Sequence, residues 1–76
     1  MDKLLKILKE LRPEVDFETQ TKLIDEGILD SFDMVSLIGE INDVFHIEID
    51  FEDIEPENFN SAHGMYELIC RLQNGV

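Results

Sequence analysis

Ser31 stands in the run Glu26-Gly27-Ile28-Leu29-Asp30-Ser31-Phe32-Asp33-Met34-Val35, where a loop turns into an amphipathic helix. A hydroxyl at that place has two chemical uses. It can cap the helix, or it can carry a phosphate, because the first aligned N–H groups and the positive end of the helix dipole both favour an anion. Asp30 and Asp33 already supply capping side chains, so the serine is not required for capping alone. Nucleophilic catalysis fits poorly. Ser31 is not in a Gly-x-Ser-x-Gly elbow, and His46 and His63 lie one and two helices further along, so no base stands beside it.

Other reactive side chains give weaker signals. Asp50, Glu52, Asp53, Glu55 and Glu57 form a carboxylate-rich stretch without the glycine and ligand order of an EF-hand loop. It suits loose divalent-cation association, and no dedicated metal site is expected. Cys70 and two scattered histidines lack zinc spacing, and a lone cysteine among acids reads as an inert helix residue. With a single cysteine there is no disulfide framework, and the start lacks the apolar core and cleavage site of a secretion signal. Both features fit a cytoplasmic protein. No apolar run is long enough to cross a bilayer.

Charge narrows the classes of partner. The chain has 18 acidic residues against 6 basic ones, a net charge of −12. Lys3, Lys6, Lys9 and Arg12 crowd the first segment, after which only Lys22 and Arg71 are basic. Such a surface repels nucleic acid and anionic headgroups and steers basic protein surfaces towards it, with an on-rate that falls as salt rises. Acidity that merely keeps a small protein soluble is the plainer reading.

The elements that position these residues follow from apolar spacing. At 76 residues the chain forms a single domain, residues 1–76, with a small aliphatic core. Leu4, Leu5, Leu8 and Leu11, with Ile7 on the flank, predict a helix over roughly residues 2–12, stopped by Pro13. The same basic amphipathic segment would suit a membrane surface, but so small a domain needs the stripe for its core, so no stable membrane insertion is expected. Residues 13–30 form a long loop, tacked down by Leu23, Ile24, Ile28 and Leu29. From Ser31 to Phe45 runs the clearest helix, with Met34, Leu37, Ile38, Ile41 and Phe45 in one stripe and Val44 beside it. A second apolar line, Phe32, Val35 and Gly39, is rotated away from the first around the helix and flanked by Asp33, Ser36, Glu40 and Asp43. One line faces the core. The other is either a docking strip with an acidic rim or is folded under the preceding loop.

After Phe45, His46-Ile47-Glu48-Ile49 reads as an extended loop, and Asp53 to Asn60 holds a helical turn with Pro56 near its start. Ser61 caps a last helix that buries Met65, Leu68, Ile69 and Leu72 and ends at Asn74-Gly75. The expected fold is all-α, a small four-helix bundle of three principal helices plus one short helix.

Leu29-Asp30-Ser31-Phe32, with Gly27 before it and Val35-x-Leu37-Ile38 after, resembles the attachment motif of acyl carrier proteins and their peptidyl and aminoacyl carrier relatives. The resemblance spans essentially the whole chain, including the Phe45-x-Ile47-x-Ile49 exit and the Asn58-Phe59-Asn60-Ser61 opening of the last helix. Phe32 follows the serine where leucine is more usual, which is similar to discrete carriers of the D-alanyl type. Gly39 lies where many members carry a larger apolar docking residue.

The resemblance implies a single carrier domain that catalyses nothing itself. A phosphopantetheinyl transferase would place 4'-phosphopantetheine from coenzyme A on Ser31, with Asp30 presenting the hydroxyl. The arm's thiol would hold an acyl or aminoacyl group as a thioester. Phe32, Asp33, Val35, Ser36, Gly39 and Glu40 would dock a monomeric carrier on basic surfaces of adenylate-forming ligases, acyltransferases or synthases. Fatty-acid, polyketide, nonribosomal-peptide and D-alanylation pathways all use such a carrier, and the cargo is not written in the sequence. The rival readings are an unmodified acidic interaction module anchored by Phe32 and Val35, and a small calcium sensor.

Overall fold

The computed structural model describes residues 1–74 and folds as an all-α bundle, with no strand among the described residues. Helix α1 spans Asp2–Leu11, α2 Ser31–Phe45, α3 Pro56–Phe59 and α4 Ala62–Gln73. A single 3₁₀ turn, Phe51–Asp53, precedes α3 and was not foreshadowed by the sequence pattern. Helix α1 packs on α2 and α4, and α3 packs on α4.

Each helix begins and ends for a local reason. Pro13 cannot continue α1, and Arg12 closes it by donating its N–H to the Leu8 carbonyl. Leu4, Ile7 and Leu8 are buried, while Leu5 and Leu11 are half-buried. Ile7 therefore belongs to the core and not to the flank. At about 100° per residue, Ile7 and Leu8 fall on either side of Leu4, whereas Leu5 is rotated well away from that arc. Helix α2 ends at His46, which takes the left-handed conformation (φ 56°) and donates its N–H to the Asn42 carbonyl. The Asn42 side chain then accepts the Ile49 N–H at 3.0 Å, fixing the extended exit strand of chain. Helix α3 has Pro56 in its first turn, where the missing N–H costs nothing. Helix α4 is capped by Ser61, whose hydroxyl accepts the Gly64 N–H at 3.0 Å. Of the expected Asn74-Gly75 stop, Asn74 occupies the C-cap and Gly75 lies outside the described residues.

Leu37 and Ile41 of α2 share one core with Leu4 and Leu8 of α1 and Met65, Leu68 and Ile69 of α4, with Met34, Ile38 and Phe45 packed at the edge. The first of the two apolar lines on α2 thus faces the core. Leu72 is half-buried. Two aromatic side chains that carry no helical period, Phe17 and Phe59, are also fully buried.

The long connection 12–30 has no helix or strand, yet it is tied down at several points. Phe17, Leu23 and Leu29 enter the core. Asn60, just after α3, accepts the Ile24 and Asp25 N–H groups on its side-chain oxygen at 2.9 and 3.0 Å, and the Leu23 N–H on its carbonyl at 2.9 Å. The Leu29 N–H closes back on the Leu23 carbonyl at 3.0 Å, around a turn that Gly27 makes at φ 68°. A positive φ of that size is cheap for glycine and strained for other residues. These bonds fix the chain immediately before Asp30.

Candidate functional site

The start of α2 is built from three consecutive residues with separate tasks. Asp30 is the N-cap: its Oδ1 accepts the Asp33 N–H at 2.8 Å, and Asp33 Oδ2 returns by accepting the Asp30 N–H at 3.4 Å. Ser31 is the first helical residue and is exposed. The helix is capped without it. Of the two uses open to the Ser31 hydroxyl, capping is therefore taken by Asp30, and the hydroxyl stands at the positively polarised tip with no internal hydrogen bond among the described residues. The first N–H groups of α2 have no intrahelical acceptor, as at any helix start, and face the same space.

Asp33 departs from the expected solvent-facing rim. It is only 8% exposed, and its Oδ2 accepts hydrogen bonds from Arg12 Nε at 3.1 Å and from Arg12 Nη2. Four residues before Leu37 and eight before Ile41, it lies in the buried row of α2 and not beside Phe32 and Val35, and the C-terminal end of α1 covers it. The Arg12 hydrogen bond holds the Asp33 carboxyl below its ordinary 3.8, burial pushes it the other way, and the Asp30 N–H lowers it further. The same bond raises Arg12 further into its charged range. Sequence reasoning missed this pair because its partners are 21 residues apart. The signal on offer was one cation directly before Pro13, at the end of a helix whose lysines face solvent.

A carboxyl held below its unfolded value stabilises the fold fully above the unfolded value, and that contribution is lost as pH falls through the folded one. Thermal unfolding of wild type and Asp33→Asn, followed by circular dichroism across pH, checks this. Wild type should be the more stable at pH 7, and its advantage should shrink below about pH 4.

The second apolar line of α2 is open to solvent. Phe32 is 81% and Val35 73% exposed, so neither is folded under the preceding loop. Ser36, Gly39, Glu40 and Asp43 are exposed along the same side. Gly39 leaves that line without a third side chain, and a Cβ there would meet nothing within 4 Å. Between this side of α2 and α1 runs an open groove of about 700 Å³, with Ile7, Leu11 and Val35 on its walls and Glu10, Glu40 and Asp43 at its edge. No group of histidine, cysteine or carboxylate side chains able to hold a metal ion occurs among the described residues.

A four-helix bundle with an unengaged serine hydroxyl at the tip of its second helix defines a class. The phosphopantetheine attachment site family matches residues 2–69, and the chain belongs to that family. More particularly, it is 35% identical over 72 residues to the D-alanyl carrier protein of Streptococcus mutans, which covers 93% of this chain and 91% of the relative. The D-alanyl carrier proteins of Streptococcus equi subsp. zooepidemicus and Streptococcus uberis are 36% and 35% identical over 52 residues, 68% of this chain. Against those two the chain spans 66%, just under two thirds, of the relative's own length. No described helix is long and apolar enough to cross a membrane.

Proposed function

We propose that the chain is a discrete carrier protein bearing 4'-phosphopantetheine on Ser31. The observation that carries the reading is the division of labour at the α2 start, where Asp30 caps and the exposed Ser31 hydroxyl is left unengaged. The residues fit the group. A phosphodiester on Ser31 Oγ would lie at a helix tip, where free N–H groups and the dipole welcome its charge. A phosphopantetheinyl transferase would supply the group: Ser31 Oγ, losing its proton, bonds the pantetheine-side phosphorus of coenzyme A as the pyrophosphate P–O bond breaks and adenosine 3',5'-bisphosphate leaves. When bound, the group supplies a terminal thiol that holds an acyl or aminoacyl cargo as a thioester.

The chain's own residues then present and dock, and none of them makes or breaks a bond in the cargo. The names of the similar proteins favour an amino acid, D-alanine, as the cargo, and the loading partner that the family resemblance implies is an adenylate-forming ligase. Tethering raises the cargo's effective concentration at each partner's active site. Phe32 and Val35, with Glu40 and Asp43 beside them, suit a basic enzyme surface held with modest affinity so that exchange stays fast. Supply of coenzyme A and activated amino acid puts this work in the cytoplasm.

The test is direct. Apo protein incubated with coenzyme A and a broad-specificity transferase should gain one phosphopantetheine mass, mapped to the peptide containing Ser31. No gain would refute the reading. Docking has its own check. Val35→Glu should leave helix content and unfolding midpoint nearly unchanged, as for other exposed positions. It should raise the KM of the loading ligase about tenfold, in keeping with the loss of one apolar anchor.

A further inference from the structure

Phe51 is 88% exposed, more than Phe32 or Val35, and nothing in the attachment site uses it. Its backbone is not a loose loop. It opens the 3₁₀ turn, in which Asp53 N–H donates to the Asp50 carbonyl at 2.9 Å and Ile54 N–H to the Phe51 carbonyl at 3.2 Å. The Asn58 side chain donates to the Asp53 carbonyl at 2.8 Å, and Arg71 of α4 donates in turn to Asn58 at 3.2 Å. Buried Ile49 and Phe59 anchor the segment on both sides. Phe51 and Ile54 are three residues apart, the spacing that eclipses side chains on a 3₁₀ turn, and both are exposed. A rigid turn thus displays an aromatic ring and an aliphatic neighbour to solvent.

The surroundings say what would cover them. Asp50, Glu52 and Glu55 are exposed around the pair, and no lysine or arginine lies between Lys22 and Arg71. A second copy is repelled rim against rim, and approach by its lysine side of α1 is opposed by the net charge of −12 on each molecule and by Asp2 and Glu10 among those lysines. Anionic lipid is repelled for the same reason. The complement is an apolar socket ringed by lysine or arginine. The α2 line also needs help: with Gly39 it offers only two apolar side chains, and interfaces are held by a few buried anchors, aromatic ones above all.

We propose that Phe51, with Ile54, is a second docking anchor that enters such a cation-ringed apolar socket on the enzyme that loads the arm. This rests on the carrier reading above. The experiment uses full-length wild type, Phe51→Ala, Phe51→Leu and Glu52→Lys, each converted with coenzyme A and transferase and checked by mass. Loading is then measured with the adenylate-forming ligase, from the chain's own genome, that aminoacylates the wild-type arm.

Phe51→Ala should raise KM about tenfold to thirtyfold with kcat unchanged, the size expected on truncating one aromatic anchor. Phe51→Leu should recover most of that, and Glu52→Lys should raise KM at low salt and converge on wild type at high salt. Melting curves should coincide, since Phe51 makes no core contact. Holo Phe51→Ala and Glu52→Lys proteins with wild-type KM would overturn this proposal alone. Wild type that accepts no phosphopantetheine would overturn it together with the carrier reading.

Discussion

Ser31→Ala protein should gain no mass on incubation with coenzyme A and transferase, under conditions in which wild type is fully converted. The effect is all-or-none because no other hydroxyl shares the setting. Ser61 also stands at a helix start, but it is the N-cap of α4, and its oxygen is already committed to the Gly64 N–H. Ser36 is exposed but lies more than a turn inside α2, away from the free N–H groups. The substitution leaves the helix intact, because Asp30 and Asp33 keep the reciprocal cap and alanine is a good helix former. Circular dichroism of Ser31→Ala should therefore match wild type, separating loss of the acceptor from loss of the fold. A variant that still gained the mass would move the attachment site elsewhere.

The second large effect is on stability. Phe17→Ala should leave the domain largely unfolded at 25 °C, or lower its unfolding free energy by about 3–5 kcal/mol, the usual cost of truncating a buried phenylalanine. Phe17 is 1% exposed in the core, although it comes from the irregular connection. A domain of this size has only about 3–5 kcal/mol from its core to lose. Urea unfolding followed by circular dichroism measures the change. A loss below about 1 kcal/mol would mean that the connection relaxes to fill the cavity and does not hold the bundle together.

These two positions also mark what the sequence makes legible. Helices α1, α2 and α4 announce themselves by apolar spacing, and Pro13, Pro56 and Ser61 by the chemistry of helix ends. The place of Ser31 at an exposed helix start is legible because loop end and apolar period meet there. Phe17 and Phe59 are not, since an aromatic side chain in an aperiodic segment gives no sign of whether it turns inward. Asp33 stands four and eight residues before Leu37 and Ile41, so its inward position is written in the spacing; its partner is not, because the Arg12 that covers it arrives from another helix. Two apolar lines on different sides of α2 leave open which one faces inward. Only packing against α1 and the shared core decides it, burying Leu37 and Ile41 and leaving Phe32 and Val35 outside.

Asn60 has a reach beyond its own corner of the molecule. By accepting the N–H groups of Leu23, Ile24 and Asp25, one on its carbonyl and two on its side-chain oxygen, it couples the approach to Ser31 to the junction of α3 and α4. Segments without regular structure usually open independently of the rest and are the first to be nicked by proteases. Here amide exchange at those residues should follow opening of the whole domain. On the carrier reading proposed above, any swinging of a tethered cargo would belong to the prosthetic chain, with the protein beneath it a fixed pedestal.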